Sequence, residues 1–334
     1  MNTYTVALLG ATGAVGREML HQLELRNFPV GRLIPLASHA SLGKTVTFRG
    51  RELPVVEAVP EAFRGADLVL GAAEAEISRR LAPAIAAAGA VYIDNSSAFR
   101  LDPQVPLVVP EVNGHMVREH HGVIANPNCC TTIALTAISG LLGLGQLKSI
   151  TASTYQAVSG AGVAGMEELH RQLKALALGE YFQPKAFPYP IAMNLIPQIG
   201  ETEQEGYTSE EMKLQNEGRR ILSLPDLPVA CTCVRVPVLR SHALSLSLHF
   251  DRPITVEAAR AAIAASPGVQ LLDDTDAGVY PMPLYAADQD AVLVGRVRRD
   301  LTDPNGLCLW CCGDQIRKGA ATNAVQIAEL LIRE

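Results

Sequence analysis

The sequence lacks the features that mark several large classes of protein. No uninterrupted apolar stretch reaches the roughly 20 residues of a membrane-spanning helix, so we expect no membrane association. The net charge is −6 and no long basic run occurs, which argues against nucleic acid as a partner. Residues 1–9 carry no basic segment and lead straight into a glycine turn, so no signal peptide is predicted. No internal repeat or low-complexity segment is present.

The cysteine pattern argues against disulfides and against a metal site. The chain has seven cysteines, an odd number, without secretory features, so we predict reduced thiols and a cytoplasmic location. Cys231 and Cys233 are closely spaced, as are Cys308 and Cys311. Both pairs lie in apolar, strand-like runs, whereas a zinc-binding pair usually lies at a turn. The eight histidines form no HExxH motif, and we expect structural cysteines and no metal.

The length and the pattern of the chain predict two domains. A chain of 334 residues, 48% hydrophobic and 19% charged, is globular and too long for one ordinary core. The first part alternates strands with helices, which predicts a doubly wound, mostly parallel sheet. Beyond about Leu147 the pattern predicts an α+β domain with an antiparallel or mixed sheet.

The predicted elements can be placed from hydrophobic periodicity. In the first part we predict strands at residues 5–9, 33–37, 67–73, 91–94, 107–109 and 123–125, and helices at residues 17–23, 77–88 and 132–142. In the second part we predict strands at residues 149–155, 229–238 and 242–250, helices at residues 167–177, 210–222 and 319–332, and an ordered, proline-rich loop at residues 184–197. The strand at 242–250 alternates leucine with polar residues, so one face should be buried.

A glycine-rich loop lies between the first predicted strand and the first predicted helix. Its G-x-x-G-x-x-G pattern is related to the dinucleotide fingerprint, in which glycine permits a tight turn and a pyrophosphate lies at the helix N-terminus. The alternative is a purely structural turn. The predicted cofactor-binding residues of this loop are Gly10, Ala11, Thr12, Gly13, Ala14, Val15 and Gly16.

The end of the second predicted strand bears on the choice of dinucleotide. Folds that prefer NAD usually have Asp or Glu there, to hold the ribose 2′-OH. Residues 37–44 contain no acid, and Ser38, His39, Ser41 and Lys44 suit a 2′-phosphate better. We therefore predict NADP as the cofactor.

The stretch Asn126-Pro127-Asn128-Cys129-Cys130 follows an apolar run and precedes a helical one. Asn and Pro predict a tight turn, so the segment is expected to be strand, turn and helix. At a helix N-terminus, unpaired N–H groups and the helix dipole favour a thiolate, which lowers the pKa of a thiol below the roughly 8.5 of free cysteine. A thiol at this turn is therefore a candidate nucleophile, and a buried apolar cysteine is the alternative.

Four further features could carry chemistry. Arg100 follows a strand end, where a guanidinium can clamp a phosphate or a carboxylate, or simply lie at the surface. Glu210 and Lys213 are three residues apart on a predicted helix, for which a solvated ion pair is the simpler interpretation. Arg235 lies in an apolar strand and needs a partner, a ligand or an exposed face. His242 could transfer protons near neutral pH, although a lone histidine is usually structural.

Together these groups suit the oxidation of an aldehyde through a covalent thioester. A thiolate adds to the aldehyde, and hydride then passes from the thiohemiacetal to a nicotinamide. Phosphate or water releases the acyl group. A histidine serves as acid and base throughout.

The motifs, in their order and spacing, resemble those of the aspartate-semialdehyde dehydrogenase family over essentially the whole chain. The matching segments are residues 10–16, 94–100, 109–113, 126–131, 155–162, 192–197, 210–213, 233–238 with His242, and 313–323. The resemblance implies a Rossmann-like NADP-binding domain of residues 1–128 and 315–334. It also implies an α+β catalytic and dimerisation domain with a mixed sheet, residues 129–314.

The resemblance implies roles for individual residues. Cys129 matches the nucleophile, Gln156 the residue that orients the acyl group, and His242 the general acid and base. Arg235 matches the residue that holds the α-carboxylate, and Glu210 the one that holds the amino group. Arg100 and Lys213 match the residues that bind phosphate, with Asn95 nearby. The full set of implied substrate-binding residues is Arg100, Asn95, Glu210, Lys213, Arg235, Ser159 and Gly160. Beyond the glycine loop, the implied cofactor-binding residues are Ser38, Ser41 and Gln315.

The implied reaction is the NADPH-dependent reduction of L-aspartyl-4-phosphate to L-aspartate 4-semialdehyde and phosphate. It feeds the synthesis of lysine, methionine and threonine, and family members are typically homodimers or dimers of dimers. Two departures from the family pattern are present. Ala40 lies where bacterial relatives often have an arginine that grips the 2′-phosphate, so use of NAD is also an option. Gln315 replaces the asparagine of the usual Asp-Asn pair.

Two alternative functions remain at this point. N-acetyl-glutamyl-phosphate reductases share the fold, the thiol chemistry and NADP, but an acetylated amine does not suit the carboxylate of Glu210. A catalytically silent structural paralogue is the second alternative. The joint presence of Cys129, Gln156, Arg235 and His242 argues against it.

Overall fold

The computed structural model describes residues 3–332, and the chain forms two compact units. The first unit consists of Met1–Cys129 and Gly319–Glu334, and the second of Cys130–Lys318. No helix within the described residues is long and apolar enough to cross a bilayer.

The elements follow one another in a pattern close to the predicted one. Up to the helix that begins at Cys129, they are β1 (Tyr4–Leu9), α1 (Ala14–Leu25), β2 (Val30–Ala37), β3 (Thr45–Phe48), β4 (Arg51–Pro54), β5 (Val56–Glu57), β6 (Leu68–Gly71), α2 (Ala75–Ala87), β7 (Val91–Asp94), α3 (Pro110–Asn113), β8 (Val123–Ala125) and α4 (Cys129–Ile138). They continue with β9 (Leu147–Gln156), α5 (Gly162–Leu178), α6 (Ser209–Ile221), β10 (Val229–Arg235), β11 (His242–Phe250), α7 (Val256–Ala264), β12 (Val269–Leu271), α8 (Pro283–Ala286), β13 (Val292–Arg299), β14 (Gly306–Gly313) and α9 (Thr322–Ile332).

The first unit is built on a parallel sheet that is buried on both faces. Its strand order is β5-β2-β1-β6-β7-β8, and every pair of neighbours is parallel. Val6 and Leu8 of β1 pack with α1 and α9, whereas Ala7 and Leu9 pack with α2 on the other face. A strand buried on both sides reads as a continuous apolar run, which is why β1 could be predicted. The predicted doubly wound fold is confirmed.

Two details of the first unit differ from the prediction. The described residues 107–109 form no strand, and Leu107 makes an isolated bridge to Ala125 instead. Pro106 and Pro110 flank this segment, and proline has no N–H group to donate to a ladder. The prediction also missed the antiparallel hairpin of β3 and β4, which follows the polar segment after β2.

The second unit contains a mixed sheet, as predicted. Its order is β10-β9-β11-β14-β13-β12, with β9 parallel to β10, β12 parallel to β13, and antiparallel pairs in between. The alternation of β11 is confirmed, because its leucines are buried and Ser245, Ser247 and His249 are partly exposed. Helix α4 begins three residues before the predicted start, and its residues from Cys130 onwards are all buried.

The proline-rich loop after α5 is ordered by two buried side chains of that helix. The Glu168 carboxylate accepts the backbone N–H groups of residues 185–186, at 2.8 and 2.6 Å. One turn later, the Gln172 amide oxygen accepts those of residues 191–192, at 2.7 and 2.8 Å. Because a loop has few hydrogen bonds of its own, these four bonds fix its course over the helix.

Replacing Glu168 with alanine should loosen this loop. The substitution removes two charge-assisted hydrogen bonds and leaves two backbone donors without their acceptor, at a cost of about 3 kcal/mol. Thermal unfolding should occur at a lower temperature, and trypsin should cleave after Lys185 more quickly than in the wild type. Glu167→Ala is the matched control, because Glu167 is exposed and makes a surface ion pair with Arg171. Equal protease sensitivity in the two variants would contradict the anchoring role.

Candidate functional site

The loop after β1 has a backbone that requires glycine. Gly10 has a φ of +85°, and a Cβ there would lie 2.5 Å from the carbonyl oxygen of Ala72. A Cβ on Gly16 would lie 2.1 Å from the carbonyl oxygen of Gly10. Gly13 is the N-cap of α1 and has no side chain with which to cap the helix. The N-terminus of α1, which no side chain caps, and the close-packed glycines fit a dinucleotide pyrophosphate.

The end of β2 has an acidic neighbour that the linear sequence does not reveal. Ser41 is buried, with its Oγ 3.3 Å from Oγ1 of Thr12 in the glycine loop. The two-residue strand β5 pairs with the end of β2 and brings Glu57 beside it. Oε1 of Glu57 lies 3.3 Å from Nδ1 of His39. Residues 37–44 contain no acid, as the sequence shows, but the fold supplies one from the next strand.

The turn before Cys129 is fixed by buried polar groups of the first unit. Nε of Arg100 donates to the carbonyl oxygen of Asn126 at 2.9 Å, and its Nη2 donates to that of Asn95 at 2.8 Å. The Asn126 side chain accepts from Asn323 at 2.6 Å and donates to the Asn95 side chain. Arg100 is 8% exposed, so the alternative of a surface arginine is wrong. The turn is therefore held in one conformation on several sides.

Asp94 anchors the loop that carries Asn95 and Arg100. Its buried carboxylate accepts from Ser78 Oγ at 2.8 Å, from Tyr92 Oη at 3.1 Å and from Ser96 Oγ at 2.6 Å. Burial, together with the negative charge of Asp94, raises the pKa of Tyr92 well above its ordinary value. The phenol therefore remains a hydrogen-bond donor to the carboxylate.

Cys129 is the first residue of α4; the predicted order of strand, turn and helix is present, but the helix begins three residues earlier than predicted. Its side chain is partly exposed, whereas Cys130 is only 3% exposed. Sγ of Cys130 lies within 4.8 Å of a ring nitrogen of His242 in the second unit's own core. The two adjacent cysteines thus differ in solvent access, and Cys129 has the position at the helix N-terminus.

Three strand ends of the second unit bring predicted site residues together. Gln156 ends β9 and Arg235 ends β10, and the two residues are paired in register. His242 begins β11. The backbone of Ala157 connects Arg235 and His242. Its N–H donates to Nδ1 of His242 at 3.1 Å, and its carbonyl accepts from Nη1 of Arg235 at 2.7 Å. The buried Nε2 of His242 has no hydrogen-bond partner within residues 3–332, so it is available to a ligand.

Glu210 on α6 is part of the same cluster. Its Oε1 accepts from Nε2 of Gln156 at 3.2 Å, and its Oε2 accepts from Nζ of Lys213 at 2.7 Å. The Glu210 side chain is 11% exposed. The interpretation of Glu210 and Lys213 as a solvated surface pair is therefore wrong. A capping box between Thr208 and Glu211 fixes where α6 begins, and thus where Glu210 lies.

The loop after β9 supplies Ser159 and Gly160. A Cβ on Gly160 would lie 2.6 Å from Nη1 of Arg235 and 3.4 Å from Nε2 of His242, so glycine allows this close approach. Ser159 Oγ accepts from Nε2 of Gln315, and Oε1 of Gln315 accepts the N–H of Ser241 at 2.8 Å. Both polar atoms of the Gln315 side chain are thus bonded to protein.

The remaining thiols have a different environment from that of Cys129. The seven cysteines all lie within the described residues, and all are free thiols. A hydrogen bond with Cys233 and burial raise the pKa of Cys231. Burial also raises the pKa of Cys311, and that of Cys312 to about 12. Such thiols stay protonated and unreactive at neutral pH.

The cluster in the second unit can hold a small zwitterion. Arg235 offers a buried guanidinium for a carboxylate, and Glu210 offers a carboxylate for an ammonium group. Gln156 adds an amide donor, and His242 adds a ring nitrogen that can exchange a proton. All four are candidates on the sequence alone, but Ala157 and Ser241 are not, because alanine and serine carry no distinguishing signal.

Comparisons with known proteins agree with this chemistry. Residues 5–120 match the family model described as the semialdehyde dehydrogenase NAD binding domain, and residues 138–318 match the semialdehyde dehydrogenase dimerisation domain. The chain is 51% identical to an aspartate-semialdehyde dehydrogenase of Synechocystis sp., over 98% of this chain and 97% of that protein. It is 47% identical to that of Bacillus subtilis, over 98% and 96%.

Solved structures agree with the sequence relatives. The crystal structure of aspartate semialdehyde dehydrogenase II from Vibrio cholerae is 42% identical, with a TM-score of 0.97 over 100% of this chain and 99% of that one. A second structure of that enzyme, a complex with ASA, matches equally well. The chain belongs to the aspartate-semialdehyde dehydrogenase family.

Proposed function

We propose that this protein reduces L-aspartyl-4-phosphate to L-aspartate 4-semialdehyde and phosphate, with NADPH as the reductant. The observation that carries the proposal is the cluster of the buried residues Gln156, Arg235 and His242 with the partly buried Glu210, which suits a small α-amino acid. The relatives named aspartate-semialdehyde dehydrogenase support it, as does the Vibrio cholerae enzyme in complex with ASA. The product serves the synthesis of lysine, by way of diaminopimelate, and of methionine and threonine.

Cys129 is assigned the covalent step. Its thiolate attacks the acyl phosphate, the C–O bond to phosphate breaks, and a thioester to Sγ remains. The nicotinamide cofactor, when bound, supplies the hydride that reduces this thioester. His242 Nε2 exchanges a proton with the reacting oxygen, and the thiolate leaves as the aldehyde forms.

The binding roles follow from charge and hydrogen-bonding capacity. Arg235 binds the α-carboxylate of the substrate, and Glu210 binds its ammonium group. Gln156 donates to the acyl oxygen. Arg100 and Lys213 bind phosphate, with Asn95 near Arg100 in the first unit. A zwitterionic substrate would bring a carboxylate to the buried Arg235 and an ammonium group to the partly buried Glu210, so that each of its charges meets an opposite charge.

The two alternative functions are less well supported. An N-acetyl-glutamyl-phosphate reductase binds an amine that carries no charge, whereas the partly buried carboxylate of Glu210 suits a free ammonium group. A silent structural paralogue has no physical reason to keep an unpartnered ring nitrogen at His242 beside a buried guanidinium. The full-length relatives favour neither alternative.

NADP is proposed as the cofactor, because Ser38, His39 and Ser41 offer donors at the end of β2. Glu57 beside His39 acts against a 2′-phosphate through its negative charge. The balance between these groups is the reason to expect that NAD is accepted as well.

A homodimer formed through the second unit is also proposed, with a dimer of dimers as the larger alternative. Residues 138–318 match a dimerisation domain. Helix α5 and the loop after it expose large apolar side chains, which is typical of an interface. Those that are 46% to 88% exposed are Val163, Leu173, Leu176, Leu178, Tyr181, Tyr189, Met193 and Leu195. The free thiols fit a reducing compartment, and we place the enzyme in the cytoplasm.

Substituting Cys129 tests the reaction and its nucleophile together. With aspartate semialdehyde, phosphate and NADP, the wild type should form reduced nicotinamide, measured by its near-ultraviolet absorbance. Cys129→Ala should lower kcat at least about 10³-fold, because no thioester can form. Cys130→Ala is the matched control and should keep most of the activity. A wild type that is silent with this substrate but active with N-acetyl-glutamate semialdehyde would overturn the substrate assignment.

Thiol alkylation as a function of pH tests the activation of Cys129. Iodoacetamide should modify Cys129 first, with a midpoint below the roughly 8.5 of a free thiol, because the N-terminus of α4 favours the thiolate. Cys231, Cys311 and Cys312 should stay unmodified in the folded protein, since their pKa values are raised and the thiol form is unreactive. Peptide mapping by mass spectrometry identifies the modified residue. A midpoint at the free-thiol value would contradict the proposed activation.

Removing the negative charge of Glu57 tests the choice between NADP and NAD. Glu57→Gln should raise kcat/KM for NADP several-fold and leave that for NAD nearly unchanged, because it removes a negative charge near the proposed position of the 2′-phosphate. Glu61→Gln is the matched control, since Glu61 is an exposed acid four residues further along the chain. An equal change with both cofactors would show that Glu57 does not act on the 2′-phosphate.

A further inference from the structure

We propose that Gln315 is a positioning residue for His242. It acts by holding the backbone of Ser241, the residue that precedes His242. The inference rests on the proposed function, because His242 is assigned the proton transfer there. Gln315 is also the position at which this chain departs from the usual Asp-Asn pair.

Ser241 has a backbone conformation that needs external support. Its φ is +76°, in the left-handed region that residues with a Cβ rarely adopt. Ser241 is fully buried and is followed directly by His242, the first residue of β11. A small change at Ser241 would therefore rotate the start of the strand and move the imidazole ring.

Gln315 supplies that support from the end of β14. Its Oε1 accepts the N–H of Ser241 at 2.8 Å, and its Nε2 donates to Oγ of Ser159. The Gln315 side chain is 4% exposed, so water does not compete for these bonds. One side chain thus joins the turn before His242 to the loop that carries Gly160.

These hydrogen bonds support His242 from two sides, at its ring and at the backbone before it. On one side, the N–H of Ala157 donates to Nδ1 of the ring at 3.1 Å. On the other side, Gln315 ties Ser241 to Ser159, which is two residues after Ala157. The loop of residues 157–160 therefore contacts His242 directly and also fixes the backbone behind it. Neither the ring nor its backbone can move without breaking a buried hydrogen bond.

The length of the Gln315 side chain is essential, because its base is rigid. Gly313 pairs in register with His242, and the Asp314 carboxylate accepts from Nε of Arg240 at 2.6 Å and from the N–H of Asp288 at 2.8 Å. The same carboxylate accepts the N–H groups of residues 316–317, at 2.9 and 3.1 Å. An asparagine at position 315 is one methylene shorter and cannot reach both Ser241 and Ser159 from this fixed backbone.

The test compares Gln315→Asn and Gln315→Met with the wild type. Asparagine keeps the amide but shortens it, and methionine keeps the length but removes both hydrogen bonds. Each should lower kcat by about 10²-fold through misplacement of His242, while the KM for NADP stays within about twofold. Gln270→Asn, an exposed glutamine of the same unit, is the control.

Hydrogen exchange of the Ser241 amide, measured without cofactor or substrate, tests directly whether its hydrogen bond to Gln315 is present. It should be faster in both Gln315 variants and unchanged in Gln270→Asn, with thermal unfolding showing that all of them fold. Unchanged Ser241 exchange, or a raised KM for NADP at constant kcat, would overturn the proposal and leave Gln315 as a cofactor contact. A wild type inactive with aspartate semialdehyde would refute the proposed function instead, and the exchange result would still report on the Ser241 bond.

Discussion

The peptide group of Ala157 is the interaction on which the second unit's cluster depends. Its N–H orients the ring of His242 and its carbonyl holds the guanidinium of Arg235. Both bonds come from backbone, so their geometry is set by the end of β9 and not by a flexible side chain. The orientation of the proposed acid and base and that of the proposed carboxylate anchor are thus coupled through one residue. The angle between a bound amino acid and the proton donor follows from this coupling.

Strand ends position the predicted site residues in both units. In the first unit, Asn95 and Asn126 follow the carboxyl ends of β7 and β8, where ligands bind in parallel sheets. In the second unit, Gln156 and Arg235 end two parallel strands in register. Each unit then fixes its residues with buried hydrogen bonds. In the first unit the supporting groups are largely side chains, such as those of Asp94 and Asn323, whereas in the second unit the backbone of Ala157 supports both His242 and Arg235.

The parts of the fold that sequence predicts well are those with a local cause. The glycine loop, the alternation of β11 and the order of strand, turn and helix around Cys129 each depend on residues adjacent in the chain. Apart from the local hairpin of β3 and β4, the features that were missed depend on contacts between distant segments. Glu57 reaches the end of β2 because a two-residue strand pairs there. The partly buried hydrogen bond between Gln156 and Glu210 likewise joins residues far apart in sequence, so the i, i+3 spacing of Glu210 and Lys213 alone could not show it.

Helix α4 has a consequence for the conditions under which Cys129 can react. Every residue from Cys130 to Ile138 is buried, so the peptide dipoles behind the thiol are surrounded by protein and not by water. Mobile ions cannot approach that part of the helix, and the Debye screening that weakens surface electrostatics hardly reaches it. The proposed attraction between α4 and a Cys129 thiolate should therefore weaken less with ionic strength than it would at a fully exposed helix end, although the partly exposed thiol itself remains open to screening.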